Sequence, residues 1–76
     1  MDYIMVSLQT GNGAPCDLRV PAFVPVEELI PMLIDALDLN IPSQAQVQAE
    51  PLGRILSKQR TLEQEGVHHG ALLTLI

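Results

Sequence analysis

The sequence contains few aromatic residues and a single cysteine. The first shortage restricts the composition of the core, and the second restricts the compartment in which the chain is expected. Its 76 residues include one Tyr, one Phe and no Trp, so the core must be built from aliphatic side chains. Cys16 cannot form an internal disulfide, whereas secreted domains of this size usually depend on several. A reducing compartment is therefore expected, and we predict that the chain resides in the cytoplasm.

Positive charge is also scarce. Four Lys and Arg residues stand against nine Asp and Glu residues, which gives a net charge of −5. This negative field repels nucleic acid and anionic lipid and favours basic protein surfaces as partners. The longest apolar runs, such as residues 29–34, are far shorter than the roughly 18 residues that a membrane span requires. We expect neither nucleic-acid binding nor insertion into a membrane.

The chain length leaves room for one domain, residues 1–76. Single cores need on the order of 50–200 residues, and a domain this small buries only about 60% of the surface that its unfolded chain exposes. Little area then remains for a deep substrate cleft beside the core. The length therefore excludes a two-domain enzyme.

Five segments have the pattern of strands. Residues 3–9 alternate with the period of a half-buried strand, and the turn-forming segment 10–15 predicts a hairpin to a second strand at 16–20. Shorter strands are predicted at 45–50, 54–56 and 71–76, with irregular structure over 57–70. The side chains assigned to the core face are Ile4, Val6, Leu8, Leu18, Val20, Ala45, Val47, Ala49, Leu73 and Leu75.

One segment has the pattern of an amphipathic helix. Its apolar residues recur at helical spacing and are Val26, Leu29, Ile30, Leu33, Ile34 and Leu37. Pro31 lies on the polar side, and because an interior proline costs about 3 kcal/mol it predicts an irregular first turn. Asn40 and Pro42 are expected to end the helix. Phe23 lies between two prolines before the helix, and we assign it as the cap of one end of the core.

The order of these elements predicts an α+β domain, in which one helix crosses one face of a mixed sheet. The helix allows a crossover, so the first and last strands are expected to lie side by side in parallel at the centre. This order resembles the ubiquitin-like β-grasp fold over essentially the whole chain, with a mixed four- to five-stranded sheet. Segments 53–56, 60–62 and 70–75 are similar to the second half of ubiquitin.

A narrower resemblance lies in the middle of the chain. Residues 17–26, which contain the sequence VPAFVP, lead into the apolar segment 29–39 and resemble the YukD/EsaB family. Its members are small bacterial ubiquitin-like proteins associated with type VII (WXG100) secretion systems. The resemblance implies an accessory or adaptor protein that is neither conjugated nor an enzyme. Such a protein acts by binding components of the secretion machinery and needs no cofactor.

A ubiquitin-like fold also allows a second class, the protein modifier or sulfur carrier. Activation of either by adenylation needs a flexible tail that ends in Gly-Gly, and this sequence ends in Leu75-Ile76. Chain building on lysine is also poorly supported, because Lys58 is the only lysine. We therefore expect the accessory role rather than the modifier role.

No group of side chains predicts a catalytic, cofactor-binding or metal site. His68 and His69 are adjacent and lack companions at zinc-ligand spacing, so we assign them to a surface turn. Cys16 shares the parity of the core face and is assigned as a small buried hydrophobe. Residues 11–13 are assigned to the hairpin turn and not to a phosphate loop. The basic side chains assigned to a solvated cluster are Arg54, Lys58 and Arg60.

The surface offers two candidate contact regions. The open sheet face is predicted to carry four apolar side chains on two neighbouring strands, namely Tyr3, Met5, Leu72 and Ile76. Such a patch is either a contact surface, for a partner protein or a second copy of the chain, or an incidental patch. The resemblance supports contact, because ubiquitin is recognised through this side of its sheet. The helix carries acidic residues that either steer basic partners or form a plain solvated face, namely Glu27, Glu28, Asp35 and Asp38.

Overall fold

The computed structural model describes residues 2–10, 13–42 and 44–76. Within these residues lie five strands and one helix, in the predicted order: β1 Tyr3–Thr10, β2 Cys16–Pro21, α1 Val26–Leu37, β3 Val47–Glu50, β4 Arg54–Ile55 and β5 Ala71–Leu75. The strands form one mixed sheet in the order β2-β1-β5-β3-β4. The predicted α+β class with one helix is confirmed.

The strand pairing confirms the predicted centre of the sheet. β1 runs antiparallel to β2 and parallel to β5, so that Leu8 lies between Cys16 and Leu73. β3 runs antiparallel to both β5 and β4. The turn that the sequence predicts at residues 11–13 falls between β1 and β2 in the chain, and its first two residues lie outside the described residues.

The core is a single aliphatic cluster between the sheet and α1. Of the ten apolar side chains that strand alternation assigns to the core face, nine are buried and Leu18 is half-buried. The helix contributes four buried side chains, Val26, Leu29, Ile30 and Leu33. Leu62 and Val67 close the core from the irregular segment 57–70, together with Leu56 just before it.

The helix is capped by main-chain groups of the segment 57–70. Val26 N–H donates to the Arg60 carbonyl at 2.9 Å, and Glu27 N–H donates to the Lys58 carbonyl at 3.0 Å. The helix is continuous through Pro31, so the irregular first turn expected from the sequence is not found. It ends earlier than predicted, because Asp38 adopts the left-handed conformation with φ of 53°. Among the described residues, no helix is both long enough and apolar enough to cross a membrane.

Two core assignments from the sequence are wrong. Cys16 has the predicted parity, but it is the first residue of an edge strand and lies exposed at a corner of the sheet. Phe23 is 55% exposed, because strand alternation continues past the end of β2. Ala22 N–H donates to the Asp2 carbonyl at 2.9 Å and Ala22 fills the core, which directs the next residue outward.

Candidate interaction surface

Three side chains meet at the corner of the sheet where β1 begins and β2 ends. The rings of Tyr3 and Phe23 pack edge to face, with centroids 6.2 Å apart and an interplanar angle of 84°. The guanidinium carbon of Arg19 lies 4.9 Å from the centroid of the Tyr3 ring, within the range of a cation–π contact. Tyr3 and Met5 flank the buried Ile4 and so point to the open face, where Arg19 lies opposite Met5.

We call Tyr3, Met5, Arg19 and Phe23 the aromatic patch. Its three apolar members are between 45% and 55% exposed, although they are among the largest side chains of the protein. Aromatic residues, methionine and arginine are the types enriched at protein–protein interfaces, and tyrosine and arginine recur among the residues that dominate binding energy. The patch therefore has the composition and the accessibility of a protein-contact surface.

The strand register divides the four apolar side chains that were predicted to cluster on the open face. Leu72 lies beside Ser7 and is half-buried. Tyr3 precedes Ser7 by four residues and Ile76 follows Leu72 by four, so at about 3.3 Å per residue the two are roughly 25 Å apart along the parallel strands. Tyr3 and Met5 belong to the aromatic patch, while Ile76 is exposed at the far end of the sheet. One continuous cluster of these four residues is therefore not formed.

Sequence reasoning missed two members of this surface, Arg19 and Phe23. Arg19 could have been found, because hairpin pairing puts it opposite Met5 and alternation puts both on the open face. The sequence assigns Phe23 to the core as an end cap because it lies between two prolines. Alternation that continues past β2 places Ala22 in the core and turns Phe23 outward instead.

The acidic residues predicted for the helix are exposed, as expected, and comprise Glu27, Glu28, Asp35 and Asp38. Glu27 and Glu28 lie in the first turn of α1, four and five residues after Phe23, whereas Asp35 lies near its end and Asp38 directly follows it. The acidic residues therefore begin close in the chain to the aromatic patch.

A buried carboxylate, also missed from the sequence, organises the segment 57–70. Glu65 is 5% exposed. Its Oε1 accepts a hydrogen bond from Ser57 N–H at 2.6 Å and another from Arg54 Nη1 at 3.2 Å. Arg60 Nε lies 3.8 Å from Oε2, and Arg54 Nη2 donates to the Glu65 carbonyl at 3.0 Å. No local pattern could mark this residue, because its partners lie up to 11 positions away in irregular structure.

These contacts lower the pKa of Glu65 below its ordinary value of 4.5. The main cause is the Ser57 N–H group, which donates to the ionised carboxylate; burial acts in the opposite direction, and Arg54 and Arg60 lower the pKa further. The basic residues predicted to form a solvated cluster are thus tied into the fold, since Lys58 Nζ also donates to the Gln44 carbonyl at 3.1 Å. Glu65 holds the segment whose carbonyl groups cap α1.

The two histidines lie exposed in a turn, as predicted. His69 Nδ1 accepts a hydrogen bond from Met5 N–H at 3.0 Å, and Gly70 N–H donates to the Met5 carbonyl at 2.8 Å, so the turn is fixed to β1. A cavity of about 210 Å³ lies beside His68, His69 and Glu63. In the described part of the chain, no three His, Cys, Asp or Glu side chains are grouped so that they could hold a metal ion.

The mixed sheet, with β1 and β5 parallel at its centre, and the single helix that crosses it define a ubiquitin-like domain. A solved ubiquitin from Caldiarchaeum subterraneum superposes with a TM-score of 0.71 and 25% identity over 97% of this chain and 91% of that chain. The N-terminal ubiquitin-like domain of the 4931431F19Rik protein superposes with a TM-score of 0.78 and 20% identity, over 99% of this chain and 74% of that chain. The second likeness supports the fold alone.

The chain belongs to the YukD family, whose model, described as "WXG100 protein secretion system (Wss), protein YukD", matches residues 3–75. A curated relative is the type VII secretion system accessory factor EsaB of Staphylococcus aureus strain Newman. It is 31% identical over 66 residues, which cover 86% of this chain and 82% of the relative. A solved protomer of the ESX-3 core complex also contains a similar domain, with a TM-score of 0.71 and 25% identity over 97% of this chain and 16% of that chain. The resemblance to the YukD/EsaB family is confirmed.

Proposed function

We propose that the chain is an adaptor of a type VII secretion system that works in the cytoplasm by binding a protein component of the secretion machinery. It acts as a folded domain, without catalysis and without covalent attachment to its partner. The contact is made by the aromatic patch on the open face of the sheet. The exposed pair of aromatic rings beside Arg19 is the observation that carries this assignment.

Similarity to known proteins supports type VII secretion as the system in which the chain acts. The family match covers nearly the whole chain, and its EsaB relative is described as an accessory factor of type VII secretion. The similar domain in the ESX-3 protomer is part of a much larger chain, of which it spans 16%. A domain with the same fold within a secretion-system complex supports a binding role on secretion machinery for this chain.

Contact with a partner would bury the apolar side chains of the aromatic patch. Tyr3, Met5 and Phe23 each leave about half of their surface in water. Burying apolar surface contributes about 25 cal/mol per Å², and rigid aromatic rings lose little side-chain freedom on binding. Arg19 is already oriented over the Tyr3 ring and can pair with an acidic group of the partner.

The test is co-purification from the native cell after mild cross-linking, with a tagged chain in the place of the native one. The double variant Tyr3→Ser/Phe23→Ser should reduce recovery of secretion-system components about thirtyfold, the effect of losing about 2 kcal/mol of contact energy. Met32→Ser is the matched control, because Met32 is a comparably exposed apolar residue on α1. Its recovery should equal that of the wild type, and far-UV circular dichroism should be the same for all three proteins.

Two results would contradict the proposal at different levels. Equal recovery with the patch variant and the wild type would show that the patch is not the contact surface. Failure of the wild type to recover any secretion-system component would reject the adaptor function itself. A covalent adduct at Ile76, detected by intact mass of the chain from cells, would indicate a modifier instead.

A further inference from the structure

Among the described residues, β2 forms one edge of the sheet and β4 forms the other. The edge at β2 is six residues long, against two residues at β4. Ala22 N–H donates toward β1, to the Asp2 carbonyl. Since alternate residues of a strand direct their N–H and C=O groups to opposite sides, Asp17 and Arg19 direct theirs to the free edge. The edge therefore presents hydrogen-bonding groups next to one negative and one positive side chain.

Two copies of the chain can pair these edges antiparallel about a two-fold axis, and the charges select one register. An axis through Asp17 or through Arg19 sets like charges directly opposite each other, which destabilises a strand pair. An axis through Leu18 sets Asp17 opposite Arg19 of the partner subunit, twice by symmetry. An axis through Cys16 sets Pro15 opposite Asp17, and an axis through Val20 sets Pro21 opposite Arg19. Proline has no N–H group, so neither pairing completes its hydrogen bonds.

We propose that the chain forms a homodimer by antiparallel pairing of β2 with β2 of a second copy, with the two-fold axis at Leu18. The ladder has about four backbone hydrogen bonds, two for each pairing of Asp17 with the partner's Arg19. Leu18 is half-buried against the core and meets Leu18 of the partner subunit, which covers the exposed part of its side chain. This dimer does not depend on the proposed role in secretion.

The charged side chains are already positioned for this pairing. Ser7 Oγ donates to Asp17 Oδ1 at 2.7 Å, and Arg19 is held over the Tyr3 ring. Both residues lie on the open face, so the cross-strand pairs form there with limited loss of side-chain freedom. In this register Pro15 lies opposite the partner's Pro21, and neither has an N–H group to extend the ladder.

The register also determines how the two aromatic patches are placed in the dimer. A two-fold axis perpendicular to the sheet keeps both open faces on the same side. The two aromatic patches then share one continuous sheet face, with the Tyr3 residues roughly 25 Å apart at strand spacings of about 4.8 Å and about 3.3 Å per residue. A short ladder bounded by prolines makes association concentration-dependent and closed at two subunits.

Charge exchange tests the register by sedimentation equilibrium up to millimolar concentration. Asp17→Arg should weaken association about tenfold or more, because two attractive pairs become two Arg–Arg pairs. This variant has a net charge of −3, so reduced repulsion between whole molecules would favour association instead. The double exchange Asp17→Arg/Arg19→Asp keeps the net charge at −5 and should restore association to near the wild-type level. A wild type that stays monomeric, or an Asp17→Arg variant that associates as strongly as the wild type, would overturn the proposal.

Disulfide formation gives an independent test of the same register. Leu18→Cys in a Cys16→Ser background should form a disulfide-linked dimer under mild oxidation, because residues facing each other at a non-hydrogen-bonded position have Cα atoms about 4.5 Å apart. In the wild type, the two Cys16 residues would lie roughly 13 Å apart along the strands, too far for a disulfide. A Cys16–Cys16 link forming faster than the link at position 18 would reject this register.

Discussion

Neutralising Glu65 tests directly whether its charged carboxylate stabilises the segment 57–70. The change Glu65→Gln keeps the shape of the side chain and its acceptor for Ser57 N–H, 2.6 Å away, but removes the charge. Hydrogen bonds to charged groups contribute about 1.5–3 kcal/mol. Arg54 and Arg60 are about half exposed, so solvent reduces their ion pairs to less than about 1 kcal/mol each. We therefore expect a loss of about 2 kcal/mol at neutral pH, or a fall in Tm of about 10 °C for a domain of this size.

The pH dependence of this loss follows from the lowered pKa of Glu65. In the acid range the unfolded chain, with the ordinary pKa near 4.5, binds more protons at this group than the folded chain. The stabilisation is therefore complete above the unfolded pKa and disappears as the pH falls through the folded pKa. The difference in stability between wild type and Glu65→Gln should be constant from pH 6 to 8 and should shrink below about pH 4.5.

Urea denaturation followed by far-UV circular dichroism measures this difference. Glu63→Gln is the matched control, since Glu63 is an exposed carboxylate in the same segment, and it should change stability by less than about 0.5 kcal/mol. A Glu65→Gln variant as stable as the wild type at pH 7 would refute the assigned role. A difference that persists undiminished at pH 3 would refute the electrostatic cause.

Two further predictions concern α1. Asp38→Asn should raise the stability by a few tenths of a kcal/mol in thermal denaturation, because asparagine suits the left-handed conformation and removes a negative charge from the helix C-terminus; an unchanged or lower Tm would contradict this. Leu29→Ala should cost about 2–5 kcal/mol in urea denaturation, since Leu29 is 1% exposed between helix and sheet. Met32→Ala on the exposed side should cost less than about 0.5 kcal/mol, and equal losses at both positions would mean that the helix packs through a different side.

The fold could be predicted from the sequence because its signals are local. Alternation over residues 3–9 and helical spacing from Val26 to Leu37 each identify an element and the side it buries. The order of the elements then restricts the topology, since a helix between strands permits the parallel pairing of β1 with β5. Element boundaries shifted by one or two residues, and strand-like alternation continued past β2 to Ala22, which turned Phe23 outward.

The candidate surface was only partly predictable because it depends on contacts between distant segments. The face of Tyr3 and of Leu72 follows from parity, but the register between β1 and β5 depends on how the crossover returns to the sheet. No residue in either strand encodes that offset locally, so separate apolar side chains were expected to form one patch. The burial of Glu65 is similar, because it arises from contacts with Arg54 and Ser57 across irregular structure.

Because the two aromatic rings lie on the surface, their effect on partner binding can be separated from their effect on the stability of the fold. The core is entirely aliphatic within the described residues, and in the segment before α1 Ala22 is buried while Phe23 is exposed. Burying a phenylalanine fully contributes about 1.5–3 kcal/mol, and this chain leaves about half of that side chain in water. Phe23→Ser should therefore lower the free energy of unfolding by no more than about 1.5 kcal/mol. Since the fold gains little from the ring, a loss of partner binding in this variant is attributable to the lost contact and not to a lost fold.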